Sequence, residues 1–151
     1  MELRLVLKSF VIVFISLFAI STGSLLANPI VLDADTISFN GEKVRLGGID
    51  APELSQSCLD HDQNGYLCGE VSASELKSII RSHKEKKFKC EYDGKDKYER
   101  LIGECFIGQI NLNAWLVRNG LALAYRRYSL KYVSEESLAK SNKKGIWQGE
   151  F

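Results

Sequence analysis

This chain lacks a surplus of charge. Without Arg4, Lys8 and Glu2 of its first 27 residues, it holds 18 basic side chains against 18 acidic ones. That balance excludes a nucleic-acid coat protein, whose footprint is strongly basic. Any contact with a polyanion must be local. Lys84-Glu85-Lys86-Lys87, and Arg126-Arg127 with Lys131, are the local basic clusters, and the first reads as a solvated face. Internal repeats, low-complexity stretches and a second domain are missing too. With 151 residues, one domain is the expectation. Long hydrophobic runs are nearly missing. Phe10–Ile20, broken only by Ser16, is shorter than the roughly 20 apolar residues a membrane span needs. Arg4 and Lys8 precede it and small residues follow up to Ala27, which is the order of a secretory signal peptide. Residues 1–27 are therefore expected to be a signal peptide, with an N-terminal anchor through residues 10–27 as the alternative. Residues 28–151 form the domain, in an exported chain that is periplasmic or secreted.

Four cysteines are present, and an even number in an exported chain favours disulfides. Cys58 and Cys68 bracket the polar loop Leu59–Leu67. Cys90 and Cys105 sit on runs that face each other if they pair as a hairpin centred near residues 97 and 98. The expected bridges are Cys58–Cys68 and Cys90–Cys105. A zinc site with His61 is one rival, but the spacing fits no common zinc pattern; two reduced core thiols at Cys90 and Cys105 are the other, since free cysteine packs as a small hydrophobe.

The apolar pattern predicts three strands over residues 29–49, with Asn40-Gly41 as a type I′ hairpin signal. Residues 50–68 read as loop and Gly69–His83 as a helix, with a stripe through Val71, Leu76, Ile79 and Ile80. Phe88–Tyr92 and Leu101–Ile107 read as a hairpin. Asn111–Asn119 reads as a short helix with Trp115 in the core, stopped by Gly120. Ser134–Lys143 is the last expected helix, with Ser134 as N-cap and Glu135 and Glu136 in the first turn. The expected class is α+β, mainly β: a five-stranded Greek-key barrel of the oligonucleotide-binding (OB) fold with about three helices.

Asp35, Arg45, Asp50 and Glu53 lie at the ends of the first strands, where folding back brings them to one sheet edge. Crowded carboxylates repel without a counter-charge. A hard cation with oxygen ligands, such as Ca²⁺, supplies one. An arginine beside such an ion suggests an anionic substrate, phosphate first. Tyr98, Tyr125 and Tyr128 are candidates for stacking on bases.

Val31-Leu32-Asp33-Ala34-Asp35-Thr36, Val44-Arg45-Leu46, Ile49-Asp50-Ala51-Pro52-Glu53, Asp96-Lys97-Tyr98-Glu99-Arg100 and Leu116-Val117-Arg118-Asn119-Gly120-Leu121-Ala122 occur in a specific order and spacing. On these motifs residues 30–147 resemble the thermonuclease family, the staphylococcal-nuclease-like secreted endonucleases. The resemblance implies calcium-dependent hydrolysis of DNA and RNA to 3′-phosphates by a monomer, with no stable membrane association once the leader is removed. It implies that Asp35, Asp50 and the Ala51 carbonyl ligate Ca²⁺, with Glu53 reaching it through water. Arg45 and Arg100 would grip the phosphate, Lys97 and Tyr98 a terminal phosphate, and Tyr125 the nucleotide. Arg45, Glu53 and Arg100 are then the catalytic set. The chain departs from the family at Ala34 and Glu99, where glycine is usual, and at Ala51, where threonine is usual. Ala34 would be strained if its site needs a positive φ. A non-catalytic OB-fold module that binds nucleic acid or protein is the alternative function.

Overall fold

The computed structural model describes residues 28–149. The expected leader, residues 1–27, lies outside them. The first elements are β1 (Ile30–Val31), β2 (Thr36–Phe39), β3 (Glu42–Leu46) and β4 (Ile49–Asp50). Asn40 and Gly41 take φ of +54° and +82°, the left-handed pair that a type I′ turn demands. β2 and β3 consequently pair with Thr36 opposite Arg45 and Ile37 opposite Val44. β5 (Cys58–Leu59) and β6 (Gly65–Tyr66) form a small hairpin inside the expected loop, and α1 (Cys68–Ser82) follows.

β7 (Phe88–Lys95) and β8 (Leu101–Ile107) are the long hairpin, with a register shift between Tyr92 and Lys95. β9 (Ile110–Asn111), α2 (Leu112–Arg118), β10 (Leu123–Ala124), α3 (Val133–Ser141) and a 3₁₀ turn at Gly145–Gln148 complete the chain. The main sheet runs β1-β2-β3-β8-β7, with β9 also on β8, and β3 pairs with β8 in parallel. This curled half-barrel with three helices is the expected OB-type α+β fold. Its core gathers Ile37, Val44, Leu46, Ile49, Leu76 and Leu116, all essentially inaccessible.

Both disulfides form: Cys58 bonds Cys68, and Cys90 bonds Cys105 directly across the hairpin. The cysteines are thus not metal ligands. No helix among the described residues is long and apolar enough to cross a membrane.

Several local expectations need correction. α1 buries Cys68, Gly69, Ser72, Ala73 and Leu76 and leaves Val71 exposed, so small residues make up the buried face of its first turns, where the helix closely approaches the chain at Glu53. A Cβ on Gly69 would sit 1.8 Å from the Glu53 carbonyl oxygen. Trp115 is only half-buried at the edge of the core. The fully buried positions of α2 are Leu112, Leu116, Val117 and one polar residue, Asn113. α3 begins at Val133, and the Ser134 hydroxyl donates to Glu135 rather than capping the helix. Glu136 is not a surface acid. It is 1 % exposed, accepts the Ala124 N–H at 3.0 Å and pairs with Arg126 at 2.6 Å and Lys140 at 3.3 Å. Ala34 is fully buried and is not among the residues with positive φ, so it carries no strain. The strain falls on Glu99, at φ +61°.

Candidate nucleic-acid cleavage site

Two backbone devices bring the first acids and Arg45 together. The β2–β3 register places Thr36 opposite Arg45, and the Leu46 N–H donates to the Asp35 carbonyl at 2.7 Å. The Gly47-Gly48 turn then reverses the chain so that Asp50 returns beside Arg45. Arg45 spans the two acids, with Nη1 2.5 Å from Asp35 and Nη2 3.1 Å from Asp50. One guanidinium fork holding two carboxylates is the geometry arginine suits and lysine does not.

Arg100 arrives from the β7–β8 turn, and the residue that aims it is Asp96. One Asp96 oxygen accepts the N–H groups of Tyr98 and Arg100 at 2.8 and 3.0 Å, and the other takes Arg100 Nε at 2.7 Å. Desolvation pushes the Asp96 carboxyl up, but the bonds from Arg100 and the backbone N–H groups outweigh it and hold the pKa below the ordinary value. Thus anchored, Arg100 reaches Thr36 Oγ1 at 3.5 Å, and that hydroxyl donates to Asp35 at 3.0 Å. Arg45 from β3 and Arg100 from the β7–β8 turn therefore both approach Asp35.

The rest of the expected set is placed less uniformly. Lys97, Tyr98 and Tyr125 line one cleft with Arg45 and Arg100, a cavity of about 920 Å³. The Lys97 ammonium lies 4.8 Å from the Tyr98 ring centre. Tyr125 meets Tyr128 edge-to-face at 4.8 Å and is fixed by its N–H to the Gly48 carbonyl at 3.0 Å. Asp50 is half-exposed and Ala51 half-buried. The Glu53 carboxylate is exposed and takes no part in the bonds around Arg45; only its backbone is fixed, the N–H donating to Gln56 Oε1 at 3.2 Å. The basic cluster at 126–131 is largely spent on ion pairs, Arg126 with Glu136 and Lys131 with Glu104.

The donors at Asp35, Asp50, Ala51 and Glu53 are all oxygens, which suits a hard cation. Burial pushes the Asp35 carboxyl from 3.8 up to about 6; Arg45 opposes the rise, Asp33 adds to it, and the Thr36 hydroxyl lowers it a little. Ionised Asp35 is therefore under-compensated by Arg45 alone, and a further cation fits there. Asp60, His61 and Asp62 also bring three ligand atoms within 4.8 Å of one another. Asp60 Oδ1 already accepts the N–H groups of Asp62 and Asn64, which makes that group an exposed turn.

The Asp35 environment gives a stability prediction. The folded-state pKa lies above the unfolded one, so the folded protein binds the proton more tightly between about pH 4 and 6. Above that window ionised Asp35 costs stability; below it the cost vanishes. Asp35→Asn is expected to raise the melting temperature near pH 7 without divalent ions, with little gain near pH 4. Melting curves at the two pH values check this, and a lower melting temperature near pH 7 contradicts it.

A curled OB-type sheet thus carries acids and arginines at its rim and opens on an aromatic- and lysine-lined cleft. Residues 43–149 match the family model described as staphylococcal nuclease homologue, and the chain belongs to that family. It is 40 % identical over 123 residues to the "Succinoglycan biosynthesis protein ExoI" of Rhizobium meliloti (strain 1021), covering 80 % of this chain and 63 % of that protein. It is 28 % identical to the "Uncharacterized endonuclease" of Haemophilus influenzae (strain ATCC 51907 / DSM 11121 / KW20 / Rd), covering 95 % of this chain and 78 % of the relative. It is 30 % identical to the "Endonuclease YncB" of Bacillus subtilis (strain 168), covering 77 % of this chain and 58 % of the relative. The chain thus spans less than two thirds of the length of two of these three relatives.

Proposed function

We propose that the protein is an exported endonuclease that hydrolyses phosphodiester bonds of DNA and RNA with Ca²⁺ and leaves 3′-phosphates. The observation that carries this reading is the joining of Asp35, Arg45 and Asp50, with Arg100 linked through Thr36, at the edge of a nucleotide-sized cleft. Family membership and the endonuclease names of two relatives support it. Two disulfides within the described residues favour an oxidising compartment, periplasmic or extracellular.

Asp35, Asp50 and the Ala51 carbonyl would hold the calcium ion, with Glu53 reaching it through water; bound there, it supplies Lewis-acid polarisation of a non-bridging phosphate oxygen. The work of the chain itself is positional and electrostatic. Arg45 and Arg100 donate to phosphate oxygens whose charge grows in the transition state. Glu53, exposed and free of the arginine pairs, orients the attacking water or accepts its proton. Arg100 also assists the departing 5′-oxygen, since its hold on Asp96 keeps it fixed from the β7–β8 turn. Tyr98, Tyr125 and Lys97 seat the neighbouring nucleotide by stacking and charge. The mechanism needs no serine or cysteine nucleophile.

Plasmid nicking with Ca²⁺, with a chelator, and with Ca²⁺ restored tests the reading. The expected outcome is cleavage, loss of at least tenfold, and full recovery. Binding of nucleic acid without nicking under all three conditions would establish the non-catalytic alternative.

A further inference from the structure

A second groove lies at the other end of β8 from the cleavage cleft, a cavity of about 310 Å³. On β8 the lining of the cleft runs from Ile102 to Glu104 and that of the groove includes Ile107, so the two linings come within about 10 Å of each other at the ~3.3 Å rise per strand residue. Val31, Phe88 and Ile107 form the groove's floor, and Lys77, Arg81, Lys84 and Lys86 rim it. No acidic residue lines it. None of the four cations pairs with a carboxylate among the described residues, whereas Arg45, Arg100, Arg126 and Lys131 all do. The groove therefore presents four uncompensated cations together.

Asn28, the first described residue, also lines the groove, next to Ile30, which is 64 % exposed. The chain therefore enters the domain through this groove, directly after the 27 residues that carry the apolar run Phe10–Ile20.

We propose that this groove is a docking face for an anionic phospholipid surface. Lysines and arginines beside a membrane-directed segment are drawn to anionic headgroups, and their aliphatic stems cover apolar surface while the charges reach outward. Single-stranded nucleic acid is the other polyanion at hand, but its grooves offer exposed rings for base stacking. Here the one ring, Phe88, is 7 % exposed. The inference rests on the alternative in which residues 10–27 stay on the chain as an N-terminal anchor, and it is independent of the chemistry in the cleft.

The test measures partitioning of the full chain onto vesicles of phosphatidylcholine alone and of phosphatidylcholine mixed with phosphatidylglycerol, at low and high salt. The wild-type chain is expected to prefer the anionic vesicles at least tenfold at low salt and to lose that preference at high salt. Joint replacement Lys77→Gln, Arg81→Gln, Lys84→Gln and Lys86→Gln should remove the preference while leaving the circular dichroism spectrum and the nicking of soluble DNA unchanged. Lys43→Gln with Lys143→Gln and Lys144→Gln, away from the groove, should keep it. No anionic preference in the wild type overturns the proposal. So does equal loss in the control variant, or a groove variant that keeps its vesicle preference but loses affinity for DNA; the last result assigns the groove to nucleic acid. Because vesicle binding is read without cleavage, failure here is distinct from failure of the nuclease reading.

Discussion

Arg45→Ala and Arg100→Ala are each expected to slow phosphodiester cleavage by at least tenfold. Fixed donors aimed at developing charge are worth about 2.7–4 kcal/mol each, or roughly 10²–10³ in rate. The two arginines are held by different means, so the variants should differ in a second property. Among the described residues Arg45 is the only guanidinium paired with Asp35 and Asp50, at 2.5 and 3.1 Å. Removing it leaves two carboxylates facing each other, and the loss in stability should be relieved by added divalent ion. Arg100 pairs with Asp96, which keeps its bonds to the Tyr98 and Arg100 N–H groups when the side chain is cut back. Its variant should fold normally and be slow. Arg45→Lys should not rescue the rate, because an ammonium cannot span two oxygens with a planar fork. Single-turnover cleavage rates alongside melting curves separate these effects. Wild-type rates in either alanine variant would remove both arginines from the mechanism.

Asn113→Ala is expected to be the most damaging single truncation for stability. Asn113 is fully buried on α2. Its side-chain oxygen accepts the Cys105 N–H at 3.1 Å, and its amide donates to the carbonyls of Gly47 at 2.9 Å and Gly103 at 3.1 Å. One side chain therefore ties β8 to the turn that carries the chain from Arg45 to Asp50. Gly103 O keeps a second donor, the Gly47 N–H at 2.8 Å. The Cys105 N–H and Gly47 O lose the partner Asn113 gave them. Stranded buried groups cost about 1–3 kcal/mol each, so the loss is about 2–6 kcal/mol. Thermal unfolding should shift down by on the order of 10 °C. Asn113→Asp should be at least as harmful, since a carboxylate accepts from Cys105 but cannot donate to either carbonyl. A shift of only a degree or two would show that the side chain does not clamp β8 to the Gly47-Gly48 turn.

Such residues mark where sequence reading stops. The Asn40-Gly41 turn, the facing of Cys90 and Cys105, and the OB-type class are legible because they follow from local turn chemistry and alternation. Residues 35, 45 and 50 are legible because a tight hairpin and a two-glycine turn leave them little choice of place. Asn113, Asp96 and Glu136 are not, because a polar residue inside a helical or turn pattern reads as surface. Their roles come from backbone partners brought in by the fold, Gly47 being 66 positions away from Asn113. The same blindness applies to charge. Arg126 and Lys131 read as free cations until Glu136 and Glu104 arrive beside them, while the lysines at 84 and 86, read as solvated surface, remain unpaired. Ala34 is the reverse case. Its family position suggests glycine geometry, yet the backbone there is ordinary and the methyl group fills the core.

In the proposed mechanism two arginines and a set of oxygen ligands act together on one phosphodiester. Analysis of the ends made from a 5′-labelled single-stranded oligonucleotide, with Ca²⁺ and with chelator, tests it most directly. Fragments ending in 3′-phosphate with Ca²⁺, and intact oligonucleotide with chelator, are the predicted result. An oligonucleotide left whole in Ca²⁺, or cut equally well in chelator, would contradict the account.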